Sequence, residues 1–260
     1  MRLKSALLFI STILAFHANV AHANLIKNGG FESNVIAHSQ IVNGAHLETN
    51  GVTIDHWISS KNNTDSGGYN FLMNSTNAHE HGGAMRLHGF GDNFFKSPSG
   101  GNFFASDPDY GPGTLKQTIS GLEVGTKYAL TFEYALAQQY DWTKSNTAVW
   151  WDVGFGGVTQ GTTKLSIPEK GFSGWKNATM YFTATSTDEL LSFLSMRTSA
   201  GGPPFMLLDN VKLEADIPEP ATWALMLAGL GMLGLFAQRR RSGQALYGLG
   251  ANKQTTRLRP

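Results

Sequence analysis

The chain has 260 residues, with 20 lysines and arginines against 19 aspartates and glutamates, and it contains no cysteine. The absence of cysteine excludes disulfide bonds, thiol catalysis, zinc–thiolate sites and iron–sulfur clusters. Basic residues concentrate at the two ends, so residues 24–217 keep 12 basic and 18 acidic side chains, a net charge of −6. This acidic central region argues against binding to nucleic acid or to an anionic membrane surface.

The N-terminal residues have the layout of a secretory signal peptide. Arg2 and Lys4 precede an apolar run at Ala6–Phe16, and the small residues Ala21 and Ala23 occupy the −3 and −1 positions of a cleavage site. We therefore predict a signal peptide over residues 1–23, removed after Ala23, and transport across the inner membrane by the export machinery.

Residues 24–217 are predicted to form one all-β domain. Short apolar or alternating segments recur between clusters of Gly, Asn, Ser and Thr, and no long amphipathic helical window occurs. The predicted strands are Val52–Ile58, Ala84–Leu87, Leu115–Ile119, Lys127–Ala135, Thr147–Phe155, Lys176–Thr185, Glu189–Met196 and Met206–Leu213. Many strands without intervening helices predict a β-sandwich of the jelly-roll type.

Five short motifs, in this order, resemble those of galactose-binding-like jelly rolls, including the family 4/9 carbohydrate-binding modules. They are the opening Asn24–Glu32, the central Gln117–Leu122 and Gly125–Tyr128, the dipeptide Gly174-Trp175, and the closing Leu207–Leu213. The resemblance covers roughly residues 24–213. It implies a jelly-roll fold and a domain that binds carbohydrate, although one fold hosts many functions.

Glu32 and Asp209 are candidate ligands of a structural calcium ion. The ends of a jelly roll tend to lie on neighbouring strands, so the two carboxylates can approach each other. Carboxylates together with carbonyl oxygens of a glycine-rich turn are the hard ligands that calcium prefers. The resemblance also implies calcium at these two motif positions. The alternative is that both side chains cap turns or accept backbone hydrogen bonds.

Exposed aromatic rings are the expected binding groups of a sugar-recognition domain, because pyranose faces stack on Trp and Tyr. The candidates are Tyr110, Tyr140, Trp142 and one of the adjacent Trp150 and Trp151, with Trp151 preferred. Neighbouring residues in a strand face opposite sides, so one of that pair belongs to the core. The acidic segment Ser106–Gly111 is predicted to be an ordinary surface loop, since it lacks a complete calcium-loop pattern.

We predict that the protein is not an enzyme. A small hydrolase or lyase acting on polysaccharide is an open alternative, for which Glu133, Asp141 and Asp152 are conceivable carboxylates. A purely structural envelope or adhesion protein is another.

The C-terminal region combines three features in order. Pro218-Glu219-Pro220 precedes an apolar run of 17 residues at Ala221–Ala237, and the basic cluster Arg239-Arg240-Arg241 follows. At about 1.5 Å per residue a helix of this length covers about 25 Å, slightly less than a bilayer core of about 30 Å. We predict a transmembrane helix with the arginines on the cytoplasmic side.

These features together resemble the PEP-CTERM sorting signal of exported proteins in Gram-negative bacteria that make exopolysaccharide. The resemblance implies recognition by an exosortase, a membrane protease that would cut near Pro218–Pro220. The sequence is thus divided into a sandwich domain at 24–217, a sorting signal at 218–241 and a basic cytoplasmic tail at 242–260. The expected product is a cell-surface or extracellular protein that associates with the polysaccharide of a biofilm matrix.

Overall fold

Among the residues before Asp216 that the structure describes there are 14 β-strands, and all of them pair antiparallel. The structure is a computed structural model that describes residues 23–35, 45–47, 51–60, 69–76, 78, 86–88, 96–142, 144–198, 202–216 and 228–235. The strands are β1 (Asn34–Val35), β2 (Ala45–His46), β3 (Thr53–Ile54), β4 (Ile58–Ser60), β5 (Asn70–Asn74), β6 (Asn102–Ser106), β7 (Thr114–Ser120), β8 (Lys127–Gln138), β9 (Asn146–Phe155), β10 (Val158–Gly161), β11 (Leu165–Ile167), β12 (Lys176–Thr183), β13 (Asp188–Arg197) and β14 (Pro204–Ala215).

Two six-stranded sheets form the sandwich. In the first, here called the β14 sheet, the order is β12-β8-β14-β6-β5-β2; in the second, the β9 sheet, it is β10-β9-β13-β7-β4, with β11 also paired to β9. The consecutive strands β6 to β9 alternate between the sheets, as do β12 to β14. This alternation is the connectivity of a jelly roll, and the predicted all-β class is confirmed.

The main hydrophobic core lies between the two sheets. Alternate residues of β8, including Leu130 and Phe132, meet Trp151, Val153 and Phe193 of the β9 sheet in one buried cluster. The period-two pattern of β8 explains this arrangement, because every second side chain of a strand faces the same side.

The β14 sheet is buried on its other face as well. A second cluster contains neighbouring side chains of β5, β6, β14 and β8, namely Phe71, Met73, Phe103, Ala105, Phe205, Leu207, Ala135 and Ala137. We call this side of the sheet the outer face. Leu87, Phe172 and Trp175 from connecting segments pack against it.

The first residues of the domain run beside its last strand. The amide of Leu25 donates to the carbonyl of Leu213 at 2.9 Å, and the amide of Val211 donates to the carbonyl of Gly29 at 2.9 Å. The two ends of the domain are therefore joined at one sheet, and Glu32 is brought to the neighbourhood of Asp209.

Six of the eight predicted strands correspond to β7, β8, β9, β12, β13 and β14, with small shifts at their ends. The predicted strand Val52–Ile58 is wrong in its middle: a turn with His56 at a φ of 69° separates β3 from β4. Of Ala84–Leu87 the structure describes only the last two residues, and Leu87 makes an isolated bridge to Gln139. Strands β1, β2, β5, β6, β10 and β11 were not predicted.

Residues Ile217–Pro260 form a separate unit, in which residues 228–235 are helical. No helix within the described residues is long and apolar enough to cross a membrane. The predicted processing residues Pro218, Glu219, Pro220, Arg239, Arg240 and Arg241 lie outside the described residues, as do Ala21, most of the signal peptide and the tail at 242–260.

Candidate functional site

A pocket opens at one end of the β14 sheet, where β8 and β6 end and β14 and β5 begin. These four strands are neighbours in the sheet, and the residue directly beyond each of them lines the pocket. The lining residues are Tyr69, Asp107, Asp109, Tyr110, Gln139, Trp142 and Pro203. The volume is about 400 Å³, within the range of about 300–1,000 Å³ for small-molecule sites. We call it the sheet-end pocket.

The pocket continues the outer face of the β14 sheet. Tyr69 lies two residues before Phe71 and packs against it edge-on, with ring centroids 4.7 Å apart. Its ring also lies 5.9 Å from Phe205 of the same face. The lining residue Tyr69 therefore packs against the second hydrophobic cluster.

Three aromatic rings line the opening. Tyr110 and Trp142 are 71% and 47% exposed, and they come from the loops that follow β6 and β8. The rings of Tyr69 and Tyr110 meet at 81° with centroids 5.2 Å apart, so they form a right-angled corner. Such a corner offers one ring face and one ring edge to a ligand.

Asp107 is buried beside these rings. It is 0% exposed, its Oδ1 accepts a 2.7 Å hydrogen bond from the Asp109 amide, and its Oδ2 has no hydrogen-bond partner. Burial raises the pKa of Asp107 to about 7, against the lowering effect of the Asp109 and Tyr110 amides. The prediction of a surface loop agrees with the exposed Asp109 and Tyr110 and is wrong for Asp107, because the residue directly after β6 still lies on the covered face of the sheet.

The second pocket carboxylate is neutralised by an ion pair. Asp109 Oδ1 contacts Arg197 Nη2, and the Arg197 side chain is only 15% exposed. The other terminal nitrogen of Arg197 is buried without a hydrogen-bond partner. Asp107 and Asp109 with Arg197 therefore carry a net charge of −1 when both acids are ionised.

Of the four aromatic residues predicted to bind ligand, Tyr110 and Trp142 lie in the sheet-end pocket. Tyr140 lies next to the lining residue Gln139, but its ring stacks on His88 at 4.7 Å and lies 4.1 Å from the guanidinium carbon of Arg86. Whether any of these three binds ligand stays a prediction.

Trp151 is not a surface residue, which corrects the preference for it over Trp150. It is 0% exposed, packs between Phe104 and Phe193, and donates from Nε1 to the carbonyl of Leu207 at 3.2 Å. Trp150 is the outward member of the pair. Its Nε1 donates to Asp152 Oδ1 at 2.7 Å, and Lys164 Nζ lies 4.3 Å from its ring centroid.

Glu32, Glu133 and Asp209 form a carboxylate cluster on the outer face, between the first residues of the domain and β14. Asp209 is fully buried and is the register partner of Glu133 in β8. Burial raises the pKa of Asp209 to about 7; Ser97 and the Asn210 amide lower it, and the charges of Glu133 and Glu32 raise it further. Ser97, which sequence reasoning missed, donates to Asp209 Oδ2 and at 3.3 Å to Glu133 Oε2.

Both predicted calcium ligands accept backbone hydrogen bonds. Glu32 Oε1 accepts from the Asn102 amide at 2.6 Å, and Asp209 Oδ1 accepts from the Asn210 amide at 2.6 Å. Gly101 makes the first bond possible, because a Cβ at that position would overlap the Glu32 carboxylate. The oxygen donors and the clustered negative charge suit a hard cation. Among the described residues, however, no three carboxylate or imidazole side chains converge to hold a metal by themselves.

The three carboxylates considered for catalysis do not form one site, because each of them has different contacts. Glu133 belongs to the carboxylate cluster, Asp152 accepts the Trp150 hydrogen bond, and Asp141 pairs with Arg86 at 3.5 Å. None of the three lines the sheet-end pocket.

The two packed sheets define a protein with a β-sandwich domain. A model of the PEP-CTERM protein-sorting motif matches residues 216–241, so the predicted sorting signal is confirmed. The motif indicates an exported protein that is directed to the surface.

The chain is also similar to halomucin from Haloquadratum walsbyi, with 26% identity over 212 residues. The alignment covers 80% of this chain and 2% of halomucin, so the chain spans a small fraction of that relative. Among solved structures, it is similar to a cyclase from Fischerella sp. TAU, with a TM-score of 0.47 and 20% identity over 75% of this chain and 97% of the cyclase. A CBM4 structure has a TM-score of 0.32 and 14% identity over 74% of this chain and 99% of that chain.

Proposed function

We propose that the mature domain is a non-catalytic surface or matrix protein that binds extracellular polysaccharide in the sheet-end pocket. The observation that carries this proposal is the convergence of Tyr110, Trp142 and Gln139 at one opening. Exposed rings provide stacking surfaces for the apolar faces of sugars, and the amide and carboxylate oxygens bind hydroxyl groups. Such a mixed lining is typical of a carbohydrate site.

Delivery to the polysaccharide follows from the two ends of the chain. We infer that the signal peptide is removed after Ala23, that Ala221–Ala237 anchors the precursor in the inner membrane, and that Arg239–Arg241 stay in the cytoplasm. An exosortase would then cut near Pro218–Pro220. The released or transferred domain would associate with exopolysaccharide in a biofilm matrix.

Calcium at Glu32 and Asp209 is the proposed structural cofactor. Carbonyl oxygens of the adjoining turn would complete its coordination, since calcium takes 6–8 oxygen ligands. A cation here would offset the repulsion among the carboxylates and hold the first residues of the domain against β14. In a thermal melt at pH 8, the midpoint should rise with calcium relative to chelator, and Asp209→Asn should remove the difference. An unchanged midpoint in the wild-type protein would count against the site.

A polysaccharide hydrolase or lyase is the second candidate, and one observation favours it. Burial raises the pKa of Asp107 to about 7, Asp109 lines the same pocket, and glycosidases use a carboxyl group of raised pKa as general acid together with a second carboxylate. Binding is preferred because Asp107 is 0% exposed and Asp109 is paired with Arg197. New reducing ends or unsaturated products from a bound glycan, lost in Asp107→Asn, would favour catalysis.

The test of binding uses residues 24–217, which include all of both hydrophobic clusters. Affinity for a panel of bacterial exopolysaccharides is measured with calcium and with chelator. Tyr110→Ala and Trp142→Ala are each expected to weaken binding at least about tenfold, equivalent to about 1.4 kcal/mol. Tyr181→Ala is the matched control, because Tyr181 is an exposed ring that does not line the pocket. A folded domain that binds no glycan would instead indicate a purely structural envelope protein.

A further inference from the structure

The sheet-end pocket is acidic and aromatic, and none of the described side chains that line it is basic. Its lining contains three rings and two carboxylates, together with Gln139 and Pro203. The nearest guanidinium described is that of Arg197, and it is engaged by Asp109. Asp107 therefore supplies the uncompensated negative charge of the site.

The position of Asp107 determines how its charge acts. Its carboxylate has 0% exposure although the residue belongs to the pocket lining, and Oδ2 lacks a hydrogen-bond partner. It acts on a ligand across a short, poorly solvated distance rather than by direct contact. Because the effective dielectric constant is low in such surroundings, a buried charge attracts an opposite charge more strongly than a surface carboxylate does.

Aromatic faces add to this attraction. A cation placed over the face of a Tyr or Trp ring, within about 6 Å of its centroid, is attracted by the negative charge density of the ring. The corner between Tyr69 and Tyr110, with Trp142 on the same pocket wall, provides such faces. Aromatic rings and a buried carboxylate in one pocket lining suit an organic cation.

We propose that the sheet-end pocket selects a sugar that carries a protonated amino group over the N-acetylated or neutral form of the same sugar. This inference rests on the proposed function, since it names the class of glycan that the pocket takes. Uronic acids and sulfated sugars are disfavoured for the same reason, because their charge has the sign of Asp107.

The charge of Asp107 also predicts how binding depends on pH. Burial and Asp109 raise the pKa of Asp107, while Arg197 of β13 and the amides of Asp109 and Tyr110 lower it, with a result of about 7. Asp107 is therefore mostly neutral at pH 6 and mostly ionised at pH 8. Affinity for a cation should rise over this interval.

The experiment compares two trisaccharides by titration calorimetry on residues 24–217 at pH 7, where appreciable fractions of the sugar amines and of Asp107 are both charged. One contains β-1,4-linked glucosamine and the other its N-acetylated form. An N,N,N-trimethylated glucosamine trisaccharide, whose charge does not change with pH, is used for the series from pH 6 to pH 8. We expect the permanent cation to bind at least about fivefold more tightly at pH 8 than at pH 6, since a pKa of about 7 makes the ionised fraction of Asp107 rise about tenfold over this interval.

Asp107→Asn keeps the shape of the side chain and removes its charge. It should abolish the preference for the amino sugar and flatten the pH series, while binding of the N-acetylated sugar persists. Asp188→Asn is the control, because Asp188 is an exposed aspartate that does not line the pocket. Should Asp107→Asn fail to fold, the pH series on the wild-type protein decides alone, and a flat series overturns the inference.

The remaining outcomes separate this inference from the proposed function. Equal affinity for the amino and N-acetylated sugars, with both lost in Trp142→Ala, would overturn the charge selection and leave glycan binding at the pocket intact. Failure of all three trisaccharides to bind would overturn the inference. The exopolysaccharide panel would then decide separately on the proposed function.

Discussion

Trp150 and Trp151 are neighbours in β9 and lie in opposite environments. Trp151 fills the centre of the main core between Phe104 and Phe193, whereas Trp150 lies on the outside with Asp152 and Lys164. Two residues of the same type therefore differ in role. Trp151 stabilises the sandwich, and Trp150 covers its surface.

Replacing Trp151 by Ala should cost about 3–5 kcal/mol of unfolding free energy, because it leaves a large cavity and removes the hydrogen bond to the Leu207 carbonyl. Trp142→Ala should change stability by no more than about 0.5 kcal/mol, since that side chain is half exposed. Denaturant unfolding of the two variants checks this. A similar loss in both would contradict the assignment of Trp151 to the core.

The strand pattern of β9 predicts that one tryptophan of this pair is buried, but not which one, because alternation fixes opposite faces without naming the covered side.

The burial of Asp107 is harder to predict from the sequence. Its neighbours Pro108 and Gly111 indicate a turn, and a turn usually lies on the surface. Its burial depends on Tyr69 and Gln139, which are remote in sequence and meet it only at the sheet end.

In the calcium-free protein, stability should fall as pH rises from about 4 to about 7. Asp107 and Asp209 have folded pKa values of about 7, against an ordinary value of 3.8. Over this interval the folded state holds protons that the unfolded chain has released, so raising the pH favours unfolding. Urea unfolding in chelator across this range measures the slope. Asp209→Asn and Asp107→Asn should each reduce it, and stability that rises with pH would contradict both pKa directions.

At the scale of elements, the contact between residues 24–32 and β14 closes the sandwich. Three residues near this contact have positive φ values, namely Asn28, Phe31 and Asn210 at 53°, 60° and 51°. Phe31 is also fully buried, and its ring packs on Trp57 with centroids 5.5 Å apart. Packing therefore holds a backbone conformation that a bulky residue rarely adopts.

Gly29 and Gly30 provide a matched test of this contact. A Cβ at Gly29 would overlap the Val211 carbonyl oxygen, whereas a Cβ at Gly30 would lie 3.8 Å from Asp209 Oδ1, an ordinary contact distance. Gly29→Ala should lower the free energy of unfolding by at least about 2 kcal/mol, by overpacking. Gly30→Ala should be nearly neutral. Equal thermal midpoints for the two variants would show that the first residues do not pack on β14 in this way.

Strands with an alternating pattern or a family motif could be predicted, whereas β5 and β6, which are buried on both faces and carry neither signal, could not. The alternation in β8 and the closing motif of β14 identify their strands directly. In β5 and β6 nearly every residue is buried, because one side faces the main core and the other the second cluster. Their segments, Asn70–Asn74 and Asn102–Ser106, therefore show a short apolar run without a period, and flanking Asn and Gly make it resemble a loop.

At the scale of the whole molecule, nearly all of the sorting motif lies in a different unit from the sandwich, so we expect its processing not to depend on the fold. Replacing Pro218, Glu219 and Pro220 by Ala should leave the fold unchanged and cause an uncleaved precursor to accumulate in the membrane fraction. Cell fractionation with mass measurement of the product checks this. Normal release of the variant would show that processing does not depend on these residues.

Strand β14 also determines how the domain would respond to mechanical load. Pro203 of the pocket immediately precedes this strand, and the sorting motif begins at residue 216, just after it. A pull between a bound glycan and an attachment at the C-terminal end would run along the 12 residues of β14. The hydrogen bonds to β8 and β6 lie across that direction. They would therefore all be loaded at the same time when β14 is pulled along its length, and they would not break one after another. The pairing of β14 is therefore the part of the domain that would limit its unfolding under such a pull.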